Sequence, residues 1–259
     1  MQDERHTLRA TFEEVPDLYD QARPTYPEEL FEDLIALARL EPGASILELG
    51  PGTGKSTLPL ARRGFRIVGV ELGEGLANVA RRNLSEFPDV EIVNVRFEAW
   101  ETNERFDAVI AFTAFHWIDP GAKYAKTARL LRAGGSLAVV TTKHVLPEGA
   151  DPFWTEVQQD YDAVAPSPDN RPPPRPDEVP DLSEEIEASG FFRNVAVRRH
   201  LHDVPYTADE HVAVIDTYSG HRAMPEEQRL RLYERIHRRI GDRVVRKTYL
   251  FVLNVARRT

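Results

Sequence analysis

Short apolar runs alternate with longer amphipathic segments along the first 142 residues of the chain. The runs have the length and apolar composition of buried strands, whereas the segments between them repeat apolar residues at helical spacing. The predicted strands cover residues 46–49, 66–71, 90–95, 106–112 and 136–142. The helices between them are predicted over residues 56–63, 75–87 and 120–132. Strands that alternate with helices in this way predict an α/β fold with a parallel, doubly wound sheet and right-handed crossovers.

The pattern changes after residue 142. Residues 147–180 contain nine of the nineteen prolines, and the part from 167 to 176 is predicted to be a loop. Before that loop, four residues are spaced like one helical face and predict an aromatic-faced lid over a substrate pocket: Phe153, Trp154, Val157 and Tyr161. The last third is predicted to return to the sheet, with helices over 183–189, 208–219 and 225–240 and strands over 195–202 and 245–256.

The most informative stretch is residues 45–56, Ser-Ile-Leu-Glu-Leu-Gly-Pro-Gly-Thr-Gly-Lys-Ser. An apolar strand leads into three alternating glycines and then into a predicted helix. Glycine lets the backbone turn sharply and approach a ligand, and the helix N-terminus offers unpaired N–H groups. The stretch therefore predicts a nucleotide-type binding turn.

Three glycine motifs compete for this turn. A P-loop requires its first glycine where Leu49 stands, and a dinucleotide-binding Gly-x-Gly-x-x-Gly turn requires its third where Lys55 stands. The pattern Glu-x-Gly-x-Gly-x-Gly fits Glu48 and the three glycines without a gap. On these residues the chain resembles the class I S-adenosylmethionine (SAM) dependent methyltransferases. Residues 19–27, Tyr-Asp-Gln-Ala-Arg-Pro-Thr-Tyr-Pro, resemble a segment that often folds over the cofactor in the trans-aconitate and quinone-pathway enzymes of this family, which act on small molecules.

The resemblance covers roughly residues 18–142 and implies a more specific fold. We expect a Rossmann-like, seven-stranded sheet with strand order 3-2-1-4-5-7-6, an antiparallel last strand and helical insertions that form a lid. The expected organisation has four parts: an N-terminal helical strap over the cofactor (1–40), a SAM-binding core (41–146), a proline-rich lid (147–180), and a C-terminal completion of the sheet (181–259) with a helical insertion (208–240).

Three acidic residues are expected at the cofactor. The resemblance implies that Glu48 orients the glycine loop and the methionine amino group and that Glu98 meets the adenine amino group. Glu71 ends the second strand at a spacing that suits a ribose-binding carboxylate. The other residues expected to bind SAM are Tyr19, Arg23, Gly50, Pro51, Gly52, Gly54, Leu72, Phe97, Ala99, Phe112 and Thr113.

Methyl transfer depends chiefly on placing the acceptor, but a hydroxyl or acidic carbon also needs a base. His116 follows the fourth strand and is a candidate base; the alternative is that it packs beside Trp117. Tyr218 and His221 are further catalytic candidates. His200 and His202 alternate on one strand without acidic partners, which predicts a structural pair, and no metal site is expected.

Composition narrows the partners and the compartment. A formal charge of −9 argues against broad nucleic-acid binding, and no apolar run is long enough to cross a bilayer. The chain contains no cysteine, which excludes disulfides and cysteine-ligated metals, and a cytoplasmic location is expected. The sequence does not determine the oligomeric state.

The sequence thus predicts a SAM-dependent methyltransferase that acts on a small organic molecule, with an O, N or C acceptor atom left open. One alternative is a P-loop ATPase, prompted by Gly54-Lys55-Ser56. Another is a SAM-binding protein that does not catalyse methyl transfer.

Overall fold

The computed structural model describes residues 15–167 and 170–259. The first fourteen residues of the predicted strap lie outside this described part, as do two residues of the predicted proline-rich loop. The rest of the strap contains helices α1 (Pro16–Ala22) and α2 (Glu28–Ala38). Pro27 stands immediately before α2 with an extended backbone, which suits a residue that has a fixed φ and no N–H to satisfy.

The described residues form a sheet of seven strands in the order β3-β2-β1-β4-β5-β7-β6. The pairs β1–β2, β1–β4, β2–β3 and β4–β5 are parallel. The strands are β1 (Ser45–Leu49), β2 (Arg66–Glu71), β3 (Val90–Asn94), β4 (Phe106–Phe112), β5 (Leu131–Val145), β6 (Phe192–Tyr206) and β7 (Val245–Arg258). The predicted fold class, a Rossmann-like mixed sheet with this strand order, is confirmed.

β1 lies at the buried centre of the sheet. Leu47 is in register with Val68 of β2 and Val109 of β4, and all three side chains are buried. Every residue of β1 is buried, as expected where helices cover both faces of a parallel sheet. The strand interiors are therefore used for packing, and the side chains available for ligands stand at the strand ends.

The remaining helices are α3 (Thr57–Ala61), α4 (Glu74–Asn83), α5 (Lys123–Leu130), α6 (Phe153–Glu156), α7 (Gln158–Val164), α8 (Ser183–Ala188), α9 (Ala208–Asp216), α10 (Ser219–Arg222) and α11 (Glu226–Ile240). α5 begins later than predicted because the carboxylate of Asp119 accepts the N–H of Gly121 (2.8 Å) in a turn. The helix predicted over 208–219 breaks after α9, where the Thr217 hydroxyl donates to the carbonyl of Val214 (2.6 Å) and Tyr218 has an extended backbone.

The fifth strand begins earlier than predicted. The preceding helix was predicted to end at residue 132, and the two glycines that follow it, Gly134 and Gly135, lie inside β5. The register between β4 and β5 shifts between Phe106 and Ala108, and residues 132–135 form a bulge on β5. A φ of +74° at Gly134 suits that bulge. β6 and β7 also extend beyond the predicted strands.

The chain divides into two compact units. The core unit comprises Thr25–Thr142, Asp181–His200 and Phe251–Thr259. The insertion unit comprises the residues up to Pro24 together with Lys143–Pro180 and Leu201–Leu250. The four-part organisation expected from the sequence, including its strap and lid, stays a prediction. Across the residues described, we find no helix that is both long enough and apolar enough to span a bilayer.

Candidate functional site

The glycine loop joins β1 to α3 with a left-handed backbone at each of its three glycines. The φ angles of Gly50, Gly52 and Gly54 are +68°, +59° and +90°. A Cβ atom at Gly50 would lie 2.6 Å from the Cβ of Ala114, and one at Gly54 would lie 3.0 Å from Cδ1 of Leu84. Only glycine therefore satisfies both the backbone angle and the available space at Gly50.

Glu48 is the second-last residue of β1 and is completely buried (0% exposed). Its two carboxylate oxygens accept hydrogen bonds from the hydroxyl of Ser56 and from that of Thr57 (2.7 Å). Burial, with a smaller contribution from the nearby acid Glu71, raises the pKa of Glu48 to about 7, although the two hydroxyl donors act in the opposite direction. Glu48 thus ties the strand end to the beginning of α3, while its contact with a methionine amino group stays a prediction.

This arrangement does not support the P-loop alternative. In a P-loop, the serine or threonine hydroxyl that follows the lysine coordinates magnesium. Here that hydroxyl belongs to Ser56, which is buried and donates to Glu48. This bond was not predicted from the sequence, although only Lys55 separates Ser56 from the last glycine of the motif.

Glu71 connects the glycine loop to the end of β2. One carboxylate oxygen accepts the N–H of Gly52 (2.9 Å), and the other accepts the N–H of Gly73 (2.8 Å). Asn94 at the end of β3 donates to the carbonyl oxygens of Glu71 (3.0 Å) and Leu72 (2.9 Å) and so fixes the same turn. The Leu72 side chain is 38% exposed, which leaves an apolar surface beside this carboxylate.

A short 3₁₀ helix, Phe97–Ala99, follows β3 and carries Glu98. Oε1 of Glu98 accepts the N–H of Asp119 (2.9 Å). Oε2 is buried and has no hydrogen-bond partner among the residues described. Lys126 of α5 holds this segment by donating to the carbonyl oxygens of Glu98 (3.1 Å) and Trp100 (2.5 Å). Sequence reasoning missed Lys126, because a lysine within a predicted helix gives no sign of such a contact.

The other predicted cofactor residues of the core unit have different surroundings. Pro51 is buried, and a Cβ atom at Gly69 of β2 would lie 3.0 Å from its ring. Phe112 is buried against Phe31, with ring centroids 5.6 Å apart. Thr113 has a φ of +55°, and its hydroxyl is 2.8 Å from that of Thr142. A left-handed threonine is costly, which marks the end of β4 as a constrained position.

His116 lies in the 3₁₀ helix Phe115–Trp117, just after β4. Its side chain is exposed, and its ring centroid is 4.8 Å from that of Trp117. His116 therefore packs beside Trp117, as one of the two interpretations predicted. Its imidazole is nevertheless exposed, so it could also act as a base. That role stays a prediction.

The predicted strap residues Tyr19 and Arg23 lie in the insertion unit with Tyr218. The Arg23 guanidinium is 5.0 Å from the centroid of the Tyr19 ring and 4.3 Å from that of the Tyr218 ring. It also donates to the hydroxyl (2.7 Å) and the carbonyl (3.0 Å) of Thr217. The structure thus brings together three residues that the sequence suggested separately, and SAM contact by Tyr19 and Arg23 stays a prediction.

His221 is held by another tyrosine of the insertion unit. Its Nε2 atom is 3.0 Å from the hydroxyl of Tyr161. Burial and the charge of Lys247 together lower the pKa of His221 to about 4, so the imidazole is neutral at physiological pH. A neutral imidazole in contact with a phenol can accept or donate a proton, and a catalytic role for His221 stays a prediction.

The aromatic residues expected to form one helical face are divided between two helices. Phe153 and Trp154 belong to α6 and are buried, whereas Tyr161 belongs to α7. The Trp154 indole donates to the carbonyl of Arg246 (2.7 Å), and its ring centroid is 4.3 Å from that of His144. Phe153 and Trp154 therefore pack inside the insertion unit instead of presenting an exposed aromatic face.

The sequence of this chain is similar to those of several methyltransferases. Residues 46–135 match a family model described as a methyltransferase domain. An uncharacterised methyltransferase of Mycobacterium tuberculosis is 32% identical over 136 residues, which are 52% of this chain and 54% of that protein. A demethylmenaquinone methyltransferase of Clavibacter sepedonicus is 30% identical over 62% of this chain and 66% of that protein. A trans-aconitate 2-methyltransferase of Azoarcus sp. is 33% identical over 41% of this chain and 42% of that protein.

A solved structure covers more of the chain. The SAM-dependent methyltransferase of Thiobacillus denitrificans, in complex with S-adenosyl-L-homocysteine, has a TM-score of 0.54 at 16% identity and covers 95% of this chain and 98% of that one. At 16% identity, this similarity shows only that the two chains share a fold. The fold is shared with this methyltransferase, and residues 46–135 match the methyltransferase domain model. This chain spans about half the length of the mycobacterial relative.

Proposed function

We propose that this protein is a SAM-dependent methyltransferase that acts on a small organic molecule. The observation that carries the proposal is the glycine loop between Glu48 and Glu71, in which the Gly50 backbone leaves no room for a Cβ atom. The methyltransferase domain match over residues 46–135 supports it independently. Neither the contacts of Ser56 nor the comparisons favour the P-loop ATPase.

The residues of the core unit fit SAM as a group. Glu71 would hold the ribose hydroxyls, since its carboxylate stands at the strand end beside the glycine loop. Glu98 would accept the adenine amino group, because its Oε2 atom is buried without a partner in the described part of the chain. The exposed side chain of Leu72 would cover the adenine ring. When bound, SAM supplies a methyl group on an electrophilic sulfonium.

A small organic acceptor is supported by the relatives and by charge. Two relatives are a demethylmenaquinone methyltransferase and a trans-aconitate 2-methyltransferase, whose names point to small substrates. The formal charge of −9 disfavours a nucleic-acid acceptor, which would require many phosphate contacts. The cytoplasmic location expected from the sequence stays a prediction.

Calorimetry with SAM and S-adenosyl-L-homocysteine (SAH) tests the cofactor assignment. We expect saturable binding of both, and a loss of about tenfold or more in Glu71→Gln, because a charge-assisted acceptor is removed. Glu74→Gln is the matched control, since Glu74 is exposed on the next helix. Binding of magnesium-ATP without binding of SAH would refute the proposal.

A panel of small hydroxyl, amine and carboxylate compounds with radiolabelled SAM tests the reaction. Labelled methyl transfer to a member of the panel is the expected result. If the chain binds SAH but labels no compound, the alternative of a non-catalytic SAM-binding protein is favoured instead.

A further inference from the structure

The insertion unit contains a buried lysine without a carboxylate partner. Lys247 on β7 is 3% exposed, and none of the residues described places a carboxylate within salt-bridge distance of it. Its ammonium lies 5.4 Å from the ring centroid of Trp154, 5.0 Å from that of Tyr218 and 5.3 Å from that of Tyr249. Aromatic rings attract a cation, but a buried cation is still costly unless an anion compensates it. The described residues leave the charge of Lys247 without that anion.

Most of the hydrogen-bond donors of Lys247 are unused. Its Nζ atom donates to the hydroxyl of Tyr218 (2.9 Å) and has no other acceptor in the described part of the chain. An ammonium carries three N–H groups, so two remain. Burial acts to raise the pKa of Tyr218, but the charges of Lys247 and Arg23 outweigh it and lower the pKa to about 8. At neutral pH most of the phenol therefore keeps its proton and does not supply the missing negative charge.

Two imidazole nitrogens near the same tryptophan also have no hydrogen-bond partner among the residues described. They are Nε2 of His144 and Nδ1 of His211, and His211 is 2% exposed. The ring centroids of His144 and His211 are 4.3 Å and 5.2 Å from that of Trp154, which Lys247 also faces. Burial and the charge of Lys247 lower the pKa of both imidazoles, so both are neutral at physiological pH. A neutral imidazole can donate an N–H from either nitrogen, which adds neutral donors to the cluster.

A second cation faces the ring of Tyr218. The guanidinium of Arg23 lies 4.3 Å from the ring centroid and donates to the hydroxyl and the carbonyl of Thr217. Within the residues that the structure describes, Arg23 has no carboxylate partner either. Arg23, Tyr218 and His144 are each partly exposed, so solvent reaches the edge of this positively charged cluster.

We propose that this cluster binds the carboxylate of a small organic molecule, with Lys247 as its counter-ion and His144 and His211 as neutral hydrogen-bond donors. The single negative charge of a carboxylate neutralises one buried ammonium, and its two oxygens can accept the unused N–H groups. The rings of Trp154 and Tyr249 suit an apolar body on that molecule. All of these residues belong to the insertion unit, so the site does not depend on the methyl transfer proposed above.

Calorimetry with benzoate tests the site directly. We expect saturable binding to the full chain at about millimolar concentration or below, and no binding of benzamide, which has the same ring without the charge. Lys247→Met should weaken benzoate binding by about tenfold or more, because the counter-ion is lost. Lys143→Met is the matched control and should leave the affinity unchanged, since Lys143 is an exposed lysine of the same unit.

Three results of this experiment would overturn the proposal. The first is a wild type that does not bind benzoate. The second is equal binding of benzoate and benzamide, since the negative charge would then contribute nothing. The third is inorganic phosphate that binds more tightly than benzoate and loses its affinity in Lys247→Met, because the cluster would then select a different anion.

A second measurement locates the anion without a Lys247 variant. Tyrosinate absorbance of the wild type is followed as the pH rises, and Tyr218→Phe identifies the transition of Tyr218. A carboxylate beside Lys247 opposes ionisation of Tyr218, so saturating benzoate should move this transition to higher pH and benzamide should not. A transition that benzoate leaves in place overturns the proposed position. The titratable and charged groups that face Tyr218 are Arg23, Tyr161, Tyr206, His221, Lys247 and Tyr249.

The methionine part of SAM and SAH carries a carboxylate of its own, so the benzoate titration is repeated with saturating SAH. Benzoate affinity should stay within about threefold, because the proposed site takes a separate molecule. Loss of benzoate binding in the presence of SAH overturns this, since the cluster would then hold the carboxylate of the cofactor. Failure of the wild type to bind SAH refutes the proposed function instead, and benzoate binding still decides the carboxylate site.

Discussion

The substitution Gly50→Ala tests whether the glycine loop is shaped by close contact as well as by backbone angle. Gly50 has a φ of +68°, and a Cβ atom there would stand 2.6 Å from the Cβ of Ala114, against 3.4–4 Å for an ordinary contact. Gly64 offers a matched control in the same unit. It has a φ of +79°, and a Cβ atom there would meet nothing within 4 Å.

The two substitutions separate two costs. Alanine in the left-handed region costs about 1 kcal/mol, and this applies equally to Gly64→Ala and Gly50→Ala. Only Gly50→Ala adds a steric overlap with Ala114, for which overpacking costs about 1–3 kcal/mol more. We therefore expect the free energy of unfolding to fall by about 1 kcal/mol in Gly64→Ala and by about 2–4 kcal/mol in Gly50→Ala.

Urea denaturation and SAH calorimetry together measure the effect. Gly50→Ala should weaken SAH binding at least tenfold, because the loop has to shift, whereas Gly64→Ala should leave it unchanged. The double variant Gly50→Ala with Ala114→Gly removes the Cβ atom that would overlap. After the cost of Ala114→Gly alone is subtracted, its free energy of unfolding should equal that of Gly64→Ala. The single variant Ala114→Gly is measured with the others to complete the double-mutant cycle.

Equal destabilisation in Gly50→Ala and Gly64→Ala would refute this reasoning, since the steric contribution would then be absent. The same conclusion would follow if Ala114→Gly restored nothing in the double variant. Loss of SAH binding in Gly64→Ala would show that the assay responds to general destabilisation, because Gly64 lies beyond α3 and outside the glycine loop.

Two further predictions concern the carboxylates of the core unit. Lys126→Met should weaken SAH binding about tenfold in calorimetry, because the Glu98 segment loses its anchor, while Lys123→Met on the same helix should not. Urea denaturation of the wild type at pH 5 and pH 7 should show the free energy of unfolding falling by about 2 kcal/mol as pH rises, since the raised pKa of Glu48 makes the folded chain bind a proton that the unfolded chain releases. Glu48→Gln should flatten this dependence; an equally steep dependence there would assign it to other groups.

The fold and the turn between β1 and α3 were predictable because they depend on patterns among residues that are close together in the sequence. Apolar runs and helical spacing predicted the strand order once the family resemblance was added, and that order is confirmed. Gly50 belongs to the glycine motif found in the sequence. Its backbone is left-handed, a conformation that glycine adopts more readily than other residues. Glu71 could be assigned to a strand end from spacing alone, although spacing did not identify a ligand for it.

The side-chain contacts within each of the two units were not predictable, because they join residues far apart in the chain. Lys126 and Glu98 are separated by 28 positions, and Lys247 and Tyr218 by 29. Nothing local distinguishes these lysines from the exposed lysines typical of helices and strand ends. The bulge in β5 was missed for a related reason, since two glycines after a helical pattern are the usual sign of a helix end.

Glu71 stabilises the glycine loop through its own hydrogen bonds, so a test of its role in ligand binding must separate the two effects. Its carboxylate accepts the N–H groups of Gly52 and Gly73, so Glu71→Gln disturbs the turn as well as any ribose contact. An SAH analogue without the two ribose hydroxyls separates these effects. If Glu71 accepts those hydroxyls, Glu71→Gln should weaken SAH about tenfold but the analogue little, because the analogue has no ribose hydroxyl to lose. Equal losses for both ligands would assign Glu71 to the glycine loop alone.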